Sequence, residues 1–141
     1  LSTVAYDGRS LAADRQCCGN FKARTTKVWR LPNGSLFGGA GLIEQILAVR
    51  AWLEDGGDKP ERLDDFSGIL IESGRAFRLE EKLIRDRIVE RCHAVGSGAP
   101  FAITAMALGK SAREAVLIAA RFDPRTGGGV DVLERSVCGK L

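Results

Sequence analysis

The chain is 141 residues long with a net charge of +3; apolar residues make up 45 % and charged residues 28 %. This length gives one domain, residues 1–141, with a core of its own, and the composition excludes a disordered chain. No apolar run approaches the roughly 18 residues of a membrane helix, and residues 1–8 lack the pattern of a signal peptide, so no membrane association is expected.

Thr3-Val4-Ala5-Tyr6 reads as a short strand, Asp7-Gly8 as a hairpin turn and Ser10 to Ala13 as the returning strand. The polar segment from Arg15 to Thr26 reads as a loop. Lys27 to Leu31 and Ser35 to Gly39 form a second hairpin around Pro32-Asn33-Gly34. Gly41 leads into a helix whose apolar residues, Leu42 to Leu53, recur at helical spacing until Gly56-Gly57 ends it. A charged linker with Pro60 follows. A third hairpin runs from Gly68 to Leu79 around Ser73-Gly74. Glu80 to Arg91 is ambiguous, and Cys92 to Gly96 reads as a buried strand. One helix starts at Pro100 and ends at Gly109, and Ser111 with Glu114 forms a capping box for the next. Gly127-Gly128-Gly129 breaks that helix, and Val130 to Leu133 is the last strand. Hairpins dominate, so the expected class is α+β, with mainly antiparallel sheets and helices packed outside them.

The charge is too small and too evenly mixed to argue for nucleic-acid binding, although the stretch holding Arg15, Lys22, Arg24, Lys27 and Arg30 is loosely basic. A binding module built on that stretch is the weakest reading, because no stacking aromatic motif accompanies it. Cys17, Cys18, Cys92 and Cys138 show no CxxC spacing and read as reduced thiols of a cytoplasmic protein. His93 is the single histidine, which excludes a zinc site built on several. In an apolar strand it reads as a satisfied core or edge residue. No GxSxG elbow is present.

Gly38-Gly39-Ala40-Gly41 joins a strand to a helix start. It has three readings: close strand-to-helix packing, an anion site at the helix N-terminus, or a glycine N–H serving as an oxyanion donor. Asp14 follows a small-residue strand, and a buried carboxylate there needs a partner. Lys27, from the next hairpin, is the natural candidate.

Five pieces taken together resemble the proteasome β-subunit superfamily, in particular the HslV-type bacterial peptidases and their short phage-associated relatives. They are Ser2-Thr3-Val4-Ala5 with Ala12-Ala13-Asp14; Thr26 to Leu31; Leu36 to Gly41; Ala94-Val95-Gly96-Ser97-Gly98-Ala99-Pro100-Phe101; and Asp123-Pro124-Arg125-Thr126-Gly127-Gly128 followed by Val130-Asp131-Val132. The resemblance covers nearly the whole chain. It implies an N-terminal-nucleophile (Ntn) hydrolase: a four-layer αββα sandwich, here with a reduced helix layer. The implied activity is a threonine-type endopeptidase acting on peptide or unfolded protein inside a homo-oligomeric ring, with an ATP-dependent unfoldase as a further partner.

Mapped onto this sequence, Ser2 takes the place of the nucleophilic threonine, and its own α-amine is the base. Lys27 sits beside the hydroxyl, Asp14 holds Lys27, and the Gly38 N–H meets the oxyanion. Ser97 and Asp123 orient the amine, and Thr126 supports them. No cofactor is required. A structural cation held around Ala120, Asp123 and Thr126 is the one metal the resemblance offers.

Three departures stand out. Serine lacks the methyl group that stiffens χ1 of threonine. Leu1 precedes Ser2, and an acylated Ser2 nitrogen is no base; the expectation is that Leu1 represents an initiator read from a non-AUG start codon and is removed by an aminopeptidase. Gly56 to Phe66 is only a linker where larger relatives carry a second long helix that builds contacts between rings. The alternative function is a catalytically inactive structural or assembly subunit of the same fold.

Overall fold

The computed structural model describes residues 2–17 and 23–135. Leu1, Cys18 and Cys138 lie outside them. The elements in chain order are β1 (Val4–Tyr6), β2 (Ser10–Asp14), β3 (Gln16–Cys17), β4 (Ala23–Arg24), β5 (Val28–Arg30), β6 (Leu36–Gly41), α1 (Ile43–Asp55), β7 (Phe66–Glu72), β8 (Arg75–Leu79), β9 (Asp86–Arg87), β10 (His93–Val95), α2 (Ala99–Ala107), α3 (Ala112–Phe122) and β11 (Val130–Glu134). The three hairpins and three helices fall where the pattern predicts them. Two segments differ. The expected loop from Arg15 to Thr26 carries the β3–β4 ladder, which pairs Gln16 with Arg24 and Cys17 with Ala23. The ambiguous stretch carries β9, a two-residue edge pairing with β8. Both are too short for an alternating pattern to show.

Turn chemistry fixes the hairpins. The Asp7 carboxylate accepts from the N–H groups of Arg9 and Ser10, at 2.9 and 2.7 Å. The Asn33 side chain accepts from Ser35 N–H at 3.0 Å. The capping box of α3 is complete: Glu114 N–H donates to Ser111 Oγ at 3.1 Å, and Ser111 N–H donates to Glu114 Oε1 at 3.0 Å. The second oxygen of Asp7 accepts from Ala112 N–H at 2.8 Å, tying the first hairpin to the start of α3.

Beside the small β3–β4 ladder, the described residues form two larger antiparallel sheets, ordered β10-β1-β2-β11 and β5-β6-β7-β8-β9. Strand alternation divides their side chains. Val4, Tyr6, Leu11 and Ala13 of the first sheet pack against Val28, Leu36, Ile69 and Ile71 of the second. On the opposite face of β1 and β2, Ala5 and Ala12 pack against α2 and α3 through Ala102, Ala105, Met106, Ala115 and Val116. Small residues on both sides let the helices approach closely. On the far face of the second sheet, Phe37, Leu70 and Leu79 meet Ile46 and Val49 of α1. Each fully buried side chain of Leu, Ile, Val or Phe size contributes roughly 1.5–3 kcal/mol, so these three apolar clusters dominate the stability. The fold is therefore α+β, with antiparallel sheets and three helices among the described residues. No helix among the described residues is long and apolar enough to cross a membrane.

Candidate active site

The site lies where the first strand of each sheet begins. Val4 pairs with Ala13, so Thr3 falls opposite Asp14. Asp14 N–H donates to the Thr3 carbonyl at 3.2 Å, and Thr3 N–H donates to Asp14 Oδ1 at 3.1 Å. Lys27 stands one residue ahead of β5 and reaches in from the second sheet. Its Nζ donates to Ser2 Oγ at 2.8 Å and to Asp14 Oδ1 at 3.0 Å. Asp14 Oδ2 accepts from Gly127 N–H at 3.0 Å. Ser2 and Asp14 are 0 % exposed and Lys27 is 2 % exposed. A lone charge at that depth costs several kcal/mol; here a facing charge and fixed N–H donors offset the cost.

A second polar group lies on the other side of Ser2. Ser2 N–H donates to Ser97 Oγ at 3.1 Å. The Ser97 hydroxyl donates to Asp123 Oδ2 at 2.7 Å, and its oxygen lies 3.3 Å from the Ser2 carbonyl oxygen. Thr126 Oγ1 donates to the same Asp123 oxygen at 2.6 Å and lies 2.7 Å from Thr3 Oγ1. Asp123 Oδ1 accepts from Arg125 N–H at 3.1 Å. Burial pushes the Asp123 carboxyl upward, but the Ser97, Thr126 and Arg125 donors outweigh it and hold the group below its ordinary value. Asp123 occupies the C-cap of α3, which brings Thr126 and Gly127 back toward the first hairpin.

Six of the seven residues proposed for the site thus converge on Ser2: Ser2 itself, Asp14, Lys27, Ser97, Asp123 and Thr126. Gly38 does not take the expected orientation. Gly39 N–H donates to the Lys27 carbonyl at 2.9 Å, and Val28 pairs with Gly38. Antiparallel alternation therefore turns the Gly38 N–H toward its other neighbour, Ile69 on β7, and away from Lys27. Packing explains why glycine stands there: a Cβ at Gly38 would lie 2.8 Å from Val4 Cγ1 and 2.9 Å from Val28 Cγ1, and one at Gly39 would lie 2.7 Å from Ile46 Cγ2. The close-packing reading of this glycine run accounts for both positions.

Two residues escaped the sequence reading of the site. A Cβ on Gly96 would collide with the Ser2 carbonyl oxygen, and one on Gly98 would collide with Thr3 Oγ1. Gly96 also holds φ at +101°, a region that L side chains rarely adopt. Gly98 N–H donates to the Ser2 carbonyl at 3.2 Å. The Gly-Ser-Gly spacing around Ser97 was the available signal.

The carboxylate of Asp123 already takes three internal donors, and the described residues contain no cluster of His, Cys, Asp or Glu suited to a metal. A cation near Ala120, Asp123 and Thr126 would therefore have to rely on backbone carbonyls. His93 sits at the edge of the first sheet, 3.0 Å from the Arg78 guanidinium, as a satisfied edge residue rather than a member of the site.

No protein-family model matches the sequence, and no curated protein matches it in sequence. Solved structures do match. The chain is similar to Thiobacillus denitrificans BPH, with a TM-score of 0.72 and 22 % identity, over 95 % of this chain and 98 % of that one. It is similar to the same protein in complex with epoxomicin, with a TM-score of 0.70 and 21 % identity, over 96 % and 100 % of the two chains. Eukaryotic HslV from Trypanosoma brucei matches with a TM-score of 0.66 and 20 % identity, over 94 % and 97 %. This chain therefore shares its fold with BPH and with HslV.

Proposed function

We propose that the chain is a single Ntn-hydrolase domain, with α2 and α3, the two sheets and α1 as its four layers, and that it hydrolyses peptide bonds with Ser2 as nucleophile. The observation that carries this reading is the buried triangle of Ser2 Oγ, Lys27 Nζ and Asp14 Oδ1, with edges of 2.8 and 3.0 Å at the lysine. Lys27 already donates to both oxygens, so it is placed as a positive neighbour and not as a proton acceptor. The acceptor is the Ser2 nitrogen, provided it is a free amine; an α-amine titrates at about 7.7–8.0, close to working pH.

The Ser2 Oγ proton passes to that amine as Oγ bonds to the scissile carbonyl carbon. The ammonium so formed gives the proton to the leaving nitrogen, the C–N bond breaks, and an acyl ester remains on Ser2. Water, deprotonated by the same amine, then attacks the ester carbonyl; the proton returns to Oγ, and the acid product departs. Lys27 favours negative charge on Oγ throughout. Ser97, fixed by Asp123, orients the amine. On the Lys27 side of β6 the Gly39 N–H is taken by the Lys27 carbonyl, so the oxyanion donor is assigned to Gly41, the next residue facing that side, rather than to Gly38. No step calls for a cofactor. An acylated Ser2 nitrogen is an amide and no base, so this mechanism requires removal of residue 1. By the same resemblance the working unit is a homo-oligomer served by an unfoldase.

The test is intact-mass analysis of the purified protein before and after incubation with epoxomicin. A species lacking residue 1 that gains one inhibitor mass, and loses this reactivity as Ser2→Ala or Lys27→Ala, supports the reading. Retained residue 1 with no adduct leaves the inactive structural subunit as the function.

A further inference from the structure

Next to Ser97 lies a cavity of about 340 Å³, lined by Ala40, Gly41, Asp65, Gly96, Ser97 and Arg125, among others. Ser97 is the residue that holds the Ser2 nitrogen. In the proposed reaction that nitrogen hands its proton to the leaving group, so this cavity adjoins the leaving-group side of the scissile bond.

Two charged residues, Arg125 and Asp65, line the cavity. The backbone N–H of Arg125 is fixed by Asp123 at 3.1 Å, but its guanidinium has no ion-pair or hydrogen-bond partner among the described residues. Asp65 is anchored through its backbone: its N–H donates to Gln45 Oε1 at 2.9 Å, and its carbonyl accepts from Leu42 N–H at 2.9 Å. Among the described residues its carboxylate forms no salt bridge with Arg125. A guanidinium offers a planar fork of donors that matches a carboxylate.

We propose that Arg125 is a specificity residue that selects peptides carrying one carboxylate on the leaving-group side of the cleaved bond. Asp65, on the same cavity, repels a second acid and so limits the preference to a single one. The carboxylate has two sources, an acidic side chain or the C-terminus of a short peptide. This inference rests on the proposed function for the meaning of the cavity, but not for the binding it predicts.

The test measures binding of product-like tripeptides by NMR titration: Glu-Ala-Ala amide, Gln-Ala-Ala amide and Gln-Ala-Ala free acid. Because Arg125 is exposed, discrimination should be modest, about three- to fivefold in favour of a carboxylate. Preference for the Glu amide over the Gln amide assigns the side chain as source; preference for the free acid assigns the terminus. Either preference should vanish in Arg125→Gln and persist in Arg125→Lys. Equal binding of all three peptides, or discrimination that survives Arg125→Gln, overturns the proposal. Hydrolysis of matched internally quenched peptides separates the two readings. Charge discrimination in binding without any hydrolysis keeps the role of Arg125 and rejects Ser2 catalysis. Hydrolysis without charge discrimination does the reverse.

Discussion

Asp14 and Lys27 form the most deeply buried ion pair among the described residues: their side chains are 0 % and 3 % exposed, and Oδ1 lies 3.0 Å from Nζ. The pair joins the end of β2 to the residue ahead of β5, and so clamps one sheet to the other beside Ser2. Removing one partner strands the other in an apolar interior, at a cost of about 3–5 kcal/mol. Asp14→Ala is the harsher change, because it also frees the N–H groups of Thr3 and Gly127. Urea denaturation should show Asp14→Ala and Lys27→Met each destabilised, with the Asp14→Ala/Lys27→Met pair costing clearly less than the two singles together. Strict additivity would show that the two charges do not interact.

The glycines around Ser97 make a contrasting prediction. Gly98→Ala places a methyl group against Thr3 Oγ1, with Thr126 Oγ1 at 3.0 Å and Ala119 Cβ at 3.1 Å. Overpacking of this kind costs about 1–3 kcal/mol. Gly34→Ala meets no atom within 4 Å, but its backbone sits at φ +89°, so it should cost only about 1 kcal/mol. Combining Gly98→Ala with Thr3→Ala removes the clashing hydroxyl and should recover part of the Gly98→Ala loss in thermal melts, whereas Gly34→Ala should gain nothing from the same partner. Equal responses in the two backgrounds would contradict the contact.

These two cases show where the sequence was readable. Asp14 after Ala12-Ala13 demanded a cation, and Lys27 was the nearest one on a strand of its own; charge burial made that pair legible. The hairpins were legible through Asp7-Gly8, Asn33-Gly34 and Ser73-Gly74, and α3 through its capping box. Gly38 was misassigned because a strand presents its N–H groups to alternate sides, and which side each one faces is invisible without the pairing register. Gly96 and Gly98 went unassigned because their constraint is the close passage of the Ser2 carbonyl and the Thr3 hydroxyl from a distant segment, of which the Gly-Ser-Gly spacing is only a local trace. The two-residue strands β3 and β9 carry too few side chains for alternation to register.

Asp123 gives the site an acid limit. Its folded-state titration lies below the unfolded value of 3.8 because three donors favour the carboxylate. A depressed carboxyl contributes stability that is fully present above about pH 4 and is lost as pH falls through the folded value. Melting temperature should therefore drop on acidification below about pH 4 in the native protein, and Asp123→Asn should flatten the part of this slope due to the group while lowering stability at pH 7. An unchanged acid slope in Asp123→Asn would assign the acid sensitivity to other carboxyls.

His93 sets a second, milder window. Burial, together with the Arg78 guanidinium 3.0 Å away, pushes the imidazole below its ordinary value of 6.5. The folded state therefore binds this proton less readily than the unfolded chain, so stability rises with pH through the interval below 6.5. Lowering the pH from 7.5 to 5.5 should reduce the melting temperature of the native protein, and this step should shrink in His93→Gln, whose amide stays neutral and can still accept from Arg78. Because Arg78 also pairs with Asp86 at 2.7 Å, Arg78→Met should shrink the same step by removing the cation that opposes protonation. If the step survives in both variants, its origin lies elsewhere than at the contact between β8 and β10.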